Sequence, residues 1–471
     1  MKVTRNDNEK HRQLQFEDYL QMVSAEQKEY AEVGGSPRIT ENNITNTNKQ
    51  TEGLLEQILT SENLNRAYRQ VKRNKGAGGI DGMQVDELLP FLKENQKELV
   101  QSLRDGKYHP KPVRRVEIPK ENGKIRKLGI PTVVDRLIQQ AITQVLTPIY
   151  EKQFSDNSYG FRPKRSAHDA LRKCQTNITE GYKYVVDMDL EKYFDTVNQS
   201  KLIQIVSETI KDGRVISLIH KFLNAGVMVG EMFEDSPEGV SQGGPLSPLL
   251  GNIMLNECDK ELEKRGHRFV RYADDLMVFC KSKKAAQRTL DKILPYIEET
   301  LYLKVNREKT KVSHIKSVKY LGYGFYIYKG EGRLRIHPKS IQKLKDKIRE
   351  VTGRSNGMGI QKRKDRLNQV VRGWMNYFKL ADARNLLIKL DEWLRSRIRM
   401  VTWKRWKKIR TRFENLKRAG LDEERAWMWA NTRKGYWRTA HSHILLVSIP
   451  NNLIKRAGYL SFMECYTVRK V

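Results

Sequence analysis

Phe269-Val270-Arg271-Tyr272-Ala273-Asp274-Asp275-Leu276-Met277-Val278-Phe279 sets two adjacent carboxylates between short apolar runs rich in Val and aromatic residues. Runs of this length and composition are too short for helices and fit strands. Asp274 and Asp275 then fall at or near a hairpin turn, held still by strands and open to solvent or substrate. Adjacent carboxylates repel, which raises one pKa unless a cation sits between them and a third partner. Mg²⁺ takes carboxylate oxygens and keeps positions open for phosphates. Taken alone, Tyr272-Ala273-Asp274-Asp275 also reads as a polar turn, because Asp favours turns. The rest of the chain decides.

A second acidic centre lies upstream, in Tyr182-Lys183-Tyr184-Val185-Val186-Asp187-Met188-Asp189-Leu190-Glu191-Lys192-Tyr193-Phe194-Asp195. It reads as a buried strand running into a turn, with Asp187 and Asp189 on one face. An Asp at the end of an apolar strand needs solvent, a partner or a metal. Asp274 and Asp275 can supply that partner through a shared cation.

Three loops flank these centres. Gly239-Val240-Ser241-Gln242-Gly243-Gly244-Pro245-Leu246-Ser247-Pro248 is dense in Gly and Pro and feeds a helix, with Ser247 as expected N-cap. Its glycines permit a flat ligand such as a base to come close. Val113–Lys120 and Lys124–Pro131 form a hairpin around Glu121-Asn122-Gly123, which puts Lys120 and Arg126 near its tip. Paired cations there suit a triphosphate or a nucleic-acid backbone. Asn74-Lys75-Gly76-Ala77-Gly78-Gly79 ends a helical pattern that starts at Leu54, either as a plain helix cap or as a loop open to a phosphate.

With 471 residues the chain suits two to four domains. Its net charge of +32 points to a polyanion, nucleic acid before anionic membrane. Residues 331–471 carry 35 basic and 12 acidic side chains, so +23 of that charge sits in the last third. Beyond Pro338 the pattern is helical, at 339–351, 361–380 and 384–410, with Leu367, Val370, Val371, Trp374, Tyr377 and Phe378 as an apolar stripe. Arg395, Arg399, Lys404, Arg405 and Lys407 interleave there with Trp403 and Trp406, the pairing of phosphate contact and stacking that RNA binding uses. No apolar run reaches the roughly 18–20 residues that span a bilayer, and no signal-peptide core opens the chain. Cys174, Cys258, Cys280 and Cys465 lie far apart without a CxxC, which fits reduced thiols in a cytosolic compartment and excludes a zinc ribbon. Residues 1–50 are polar and predict a short amphipathic helix at 11–31 followed by a flexible link.

In this order, the blocks of residues 54–410 resemble the reverse transcriptase/maturases encoded in bacterial group II introns. Asn63–Tyr68 through Gly79-Ile80-Asp81-Gly82, Arg126–Thr132 and Ser158-Tyr159-Gly160-Phe161-Arg162-Pro163 are similar to that family's fingers blocks. Asp189–Asp195, Ser241-Gln242-Gly243, the Tyr-Ala-Asp-Asp box, Lys304-Val305-Asn306 and Tyr320-Leu321-Gly322 are similar to its palm motifs. Arg372-Gly373-Trp374-Met375-Asn376-Tyr377-Phe378 is similar to its thumb, or maturase, region. Ser241 departs from the family's usual Pro.

The resemblance implies an α+β right-hand polymerase. Fingers and a palm with an antiparallel sheet would span 51–335, and a helical thumb/maturase region 336–410. A basic DNA-binding-like segment would follow at 411–471, after the polar extension 1–50 at the other end. It further implies that Asp189 and Asp274 bind two Mg²⁺ ions, or Mn²⁺ in their place, with Asp275 in support and Asp187 as the fallback for Asp189. Phe194 would be the gate that rejects a 2′-hydroxyl, with Tyr193 next in line, and Gln242 would line the templating pocket. Lys120 and Arg126 would hold the dNTP triphosphate, while Lys75, Arg372, Arg395, Arg399, Lys404, Arg405 and Lys407 would contact nucleic acid. The partners implied are intron RNA or an RNA template, a DNA primer or target, and dNTPs, in a bacterial cytoplasm and without a membrane. The tail resembles the class lacking the cysteine/histidine endonuclease domain. Two alternatives share much of this sequence: an RNA-binding splicing cofactor without polymerase activity, and a related reverse transcriptase recruited to repair or defence.

Overall fold

The computed structural model describes residues 53–119, 123 and 125–467; the expected helix at 11–31 and Lys120 lie outside them. The chain divides into two compact units between His314 and Ile315.

The first unit holds strands β1 (Val113–Pro119), β2 (Ile125–Ile130), β3 (Tyr184–Met188), β4 (Val227–Val229), β5 (Met232–Glu234), β6 (Arg268–Tyr272), β7 (Asp275–Cys280) and β8 (Lys311–His314). They form two four-stranded sheets, in the orders β2-β1-β4-β5 and β6-β7-β3-β8. The second sheet is antiparallel throughout, whereas the first contains one parallel pair, β1 with β4. Val185, Val186, Phe269, Val270, Met277 and Val278 are buried, so this short sheet is covered on both faces.

Helix Val133–Glu151 starts at Thr132, whose side chain accepts from the Asp135 amide, and it buries Leu137, Ile138, Ala141, Ile142 and Leu146. Helix Ser247–Lys264 is buried along most of its length. Ser247 is its first residue and not its N-cap, because the hydroxyl is already donated to the Ser241 carbonyl at 2.6 Å. The helical pattern from Leu54 breaks at Thr60, which caps a second helix, Ser61–Asn74. Lys75 ends that helix at φ 45°, exposed. The glycines beyond it serve packing: a Cβ on Gly76 would lie 2.1 Å from Arg136 Nη1. The loop's carbonyls accept from inside the unit, Ala77 from Arg136 at 2.7 Å and Gly78 from Arg114 at 2.8 Å.

The second unit opens with a three-stranded sheet, β9 (Lys319–Tyr320), β10 (Tyr323–Tyr328) and β11 (Glu331–Ile336), ordered β11-β10-β9. β10 pairs with β9 over two residues and takes its longer partner, β11, from the chain after Lys329-Gly330. Helices Pro338–Val351, Ile360–Tyr377 and Arg384–Arg405 follow. Leu367, Val371 and Phe378 of the expected stripe are buried, with Val370, Trp374 and Tyr377 half-buried. Buried Asp391 accepts from Ser461 Oγ at 2.7 Å and from the Phe462 and Met463 amides at 2.8 and 3.0 Å, tying the final helix, Phe462–Thr467, to Arg384–Arg405. None of the four cysteines is in a disulfide, and no helix of the described residues is long and apolar enough to cross a membrane.

Candidate active site

Residues Tyr272 and Asp275 pair across β6 and β7, leaving Ala273 and Asp274 as the turn. Ala273 stands at φ 55°, a left-handed conformation suited to a two-residue hairpin. Asp274 and Asp275 are exposed. On the neighbouring strand the last register pair is Met188 with Leu276. Asp189 directly follows Met188, and Asp275 directly precedes Leu276, so the acidic residues occupy the same end of the antiparallel sheet. Asp187 lies within β3, opposite Met277 on one side and Lys311 on the other. Burial pushes its carboxyl pKa up, with Lys311 pulling it down. Its place inside the sheet leaves Asp189 as the residue at the open end.

The Asp189 carboxylate holds a cation already, Lys309 Nζ at 2.7 Å. Its backbone is pinned by bonds from the Asn306 amide to its carbonyl at 2.9 Å and from its own amide to Thr310 Oγ1 at 3.2 Å. Hard carboxylate oxygens at a strand end, one of them paired to an ammonium, fit a hard divalent cation by their chemistry. Among the described residues no three His, Cys, Asp or Glu side chains are gathered closely enough to hold an ion together.

Phe194 sits in the short helix Tyr193–Thr196, partly buried, its ring 5.1 Å from that of Tyr193. Tyr193 is 3% exposed and donates to the Gly251 carbonyl at 2.7 Å, so it is a core side chain and no second gate. Burial pushes its pKa up, with Arg271 opposing and Asp274 adding to the rise. The Gly-rich loop docks on both sides of this helix and β2. Val240 N donates to Phe194 O at 2.6 Å, and Gly129 N donates to Gln242 O at 2.8 Å. Gly243 holds φ 129°, and a Cβ there would lie 2.5 Å from Gly129 O, so a side chain is excluded.

The docking joins three side chains. Arg126 Nε donates to Gln242 Oε1 at 3.0 Å, and Gln242 Nε2 donates to Asp195 Oδ1 at 3.1 Å. The resemblance gives Arg126 to the triphosphate and Gln242 to the templating pocket; in the structure the two side chains are in contact. Asp195 and Lys309 have no role in the sequence reading. For Lys309 the available signal is Asn306, whose amide returns the chain to Asp189.

In the second unit Arg372, Arg405 and Lys407 are exposed and Arg395 is half-buried. Lys404 Nζ lies over the Tyr436 ring at 5.0 Å. Arg399 does not belong with them. It is 3% exposed, donates to the Ile449 carbonyl at 2.9 Å and to Asn451 Oδ1 at 2.8 Å, and is therefore an internal strut.

Residues 118–325 match the family described as Reverse transcriptase (RNA-dependent DNA polymerase), and residues 341–420 match Group II intron, maturase-specific domain. Protein YkfC of Escherichia coli K12 is 35% identical over 311 residues, covering 58% of this chain and 82% of that protein. Group II intron-encoded protein LtrA of Lactococcus lactis subsp. cremoris is 31% identical over 389 residues, covering 66% of this chain and 65% of LtrA. The chain belongs to the group II intron reverse transcriptase/maturases. Among solved structures, a partial Cas6-RT-Cas1–Cas2 complex is matched at 21% identity and a TM-score of 0.34, over 56% of this chain and 46% of that one. As a reverse transcriptase/maturase the protein is an RNA-directed DNA polymerase with a maturase region. Both sheets that carry the site fall within the reverse transcriptase match except for residues 113–117 of β1, and Arg372, Arg395, Lys404, Arg405 and Lys407 fall within the maturase match.

Proposed function

We propose that Asp189, Asp274 and Asp275 are the metal-holding carboxylates of this polymerase, and that the protein serves its own intron by aiding splicing and by target-primed DNA synthesis. The observation that supports the first part is the arrival of all three residues at one end of the β6-β7-β3-β8 sheet. Two Mg²⁺ ions held there would activate the primer 3′-hydroxyl and offset charge on the departing pyrophosphate. The chain's own residues do the rest. Asp189, now paired with Lys309, would be among the residues to hold the metal. Arg126 exchanges Gln242 for the triphosphate, assisted by Lys120, and frees the Gln242 amide to meet the template base pair. Phe194 closes the floor of the sugar pocket against a 2′-hydroxyl.

In the same reading, sheet β2-β1-β4-β5 belongs to the fingers, sheet β6-β7-β3-β8 is the palm, and the helices from Pro338 are the thumb. The exposed cations Lys75, Arg372, Arg405 and Lys407, with Arg395 and Lys404, track RNA phosphates. The test is primer extension on an RNA template with dNTPs and Mg²⁺, wild type beside Asp274→Asn, with RNA affinity measured in parallel. Extension by wild type alone, at equal RNA affinity, is the expected outcome. No extension by either, with tight RNA binding, moves the function to a splicing cofactor.

A further inference from the structure

We propose that Arg271, anchored by Asp259 and Asn252, is a positioning residue for the Asp274 carboxylate; the claim rests on the polymerase reading above. Arg271 is the second residue before the turn on β6, and its side chain folds back beneath that turn. Nη1 donates to the Ala273 carbonyl at 3.0 Å, the peptide that leads into Asp274, and to Asn252 Oδ1 at 2.9 Å. Nε and Nη2 grip Asp259 at 2.8 and 2.5 Å. Arg271 is 1% exposed, Asp259 0% and Asn252 2%. Arg271 and Asp274 also line one small cavity with Leu255, Cys258 and Leu276.

The turn needs such a hold, because Ala273 occupies a left-handed conformation that residues with a Cβ avoid. It is held from the opposite side too. Tyr159 N donates to Arg271 O, and Arg271 N donates to Asn157 O, both at 2.9 Å. Gly160 presses on the turn so closely that a Cβ would lie 2.2 Å from Ala273 N. Asn252 joins the two sides, since its Nδ2 donates to the Gly160 carbonyl at 2.8 Å. A buried ion pair adds little net stability over apolar packing of the same volume, but its directed bonds fix geometry. Here the geometry fixed is that of the peptide next to the candidate metal ligand.

The test is single-turnover primer extension by the full chain, for Arg271→Lys and, separately, Gly160→Ala. Lys keeps the charge but presents one ammonium, which cannot serve Asp259, Asn252 and Ala273 O together. Ala at 160 pushes the turn from the other side and changes no charge. Both variants are expected to keep the wild-type reaction amplitude and RNA affinity. Their rate constants should fall about tenfold to a hundredfold, the loss that follows from small misplacement of a catalytic group. The Mg²⁺ midpoint should rise and the dNTP KM stay within about twofold. A reduced amplitude with an unchanged rate constant and Mg²⁺ midpoint in both variants overturns the proposal, since that is the mark of a purely structural network. Failure of both variants to fold overturns it likewise. If wild type does not extend, the polymerase reading fails before the clamp is tested.

Discussion

In the first unit the candidate catalytic carboxylates are few, and each is set by its surroundings: Asp274 by a braced turn, Asp189 by a strand end and a paired lysine. In the second unit charge is abundant and mostly on the surface, with exposed Arg372, Arg405 and Lys407 on or beside long helices. On the proposed reading the two regions divide the work by kind of charge. Chemistry needs a small number of groups held within fractions of an ångström, so it is built on sheet ends backed by buried polar bonds. Binding a long polyanion needs a field, to which many cations contribute and none is decisive. Sensitivity to single substitutions should differ between the regions accordingly.

The sharpest contrast comes from Asp189→Ala. It should lower extension at least about a thousandfold, since a metal-holding carboxylate underlies several kcal/mol of transition-state stabilisation. RNA affinity by filter binding should stay within about twofold. Retention of extension would break the contrast at its first term.

Arg399→Ala should act inside the basic unit yet behave like a core mutation. Losing its bonds to Ile449 O and Asn451 costs on the order of 2–4 kcal/mol, read as a lower melting temperature. A variant that instead melts normally and loses RNA would return Arg399 to the binding surface.

Phe194→Ala should relax discrimination against rNTPs by about tenfold to a hundredfold, the range a steric pocket can supply against a hydroxyl. Unchanged discrimination would move the gate away from this ring, and not to Tyr193, which is buried. The smallest effects belong to Arg405→Ala and Lys407→Ala. Each should weaken RNA binding slightly and reduce the slope of log K against log salt by about one. A loss from either as large as that of Asp189→Ala would erase the division of labour.

The acidic hairpin was legible because two apolar β-type runs and a polar turn are a local pattern, and the same is true of β3 and the Gly-rich loop. What closes the site was not. Arg271 meets Asp259 across a helix and a strand, and Ser158 pairs with Arg271 through a bridge between segments more than a hundred residues apart. Arg271 and Asp259 are only 12 residues apart, but one sits on a strand and the other on a helix, and no local pattern gives the packing that joins them. Arg399 was misread for a related reason. In a helix rich in Arg the exposed and buried positions carry the same letter, and only the packing of 449–451 onto that side separates them. The glycines at 76–79 looked like an opening for an anion, yet the space beside Gly76 is taken by Arg136.

Lys309 makes the acidic end its own counter-ion store. An ammonium tethered to the same sheet neutralises Asp189 without any solute, so chelator-treated protein faces no uncompensated charge at that carboxylate. On the proposed metal-site reading, loading would be an exchange of one cation for another and not a simple addition. The lysine would then raise the divalent concentration needed, and removing it should make the site greedier for metal.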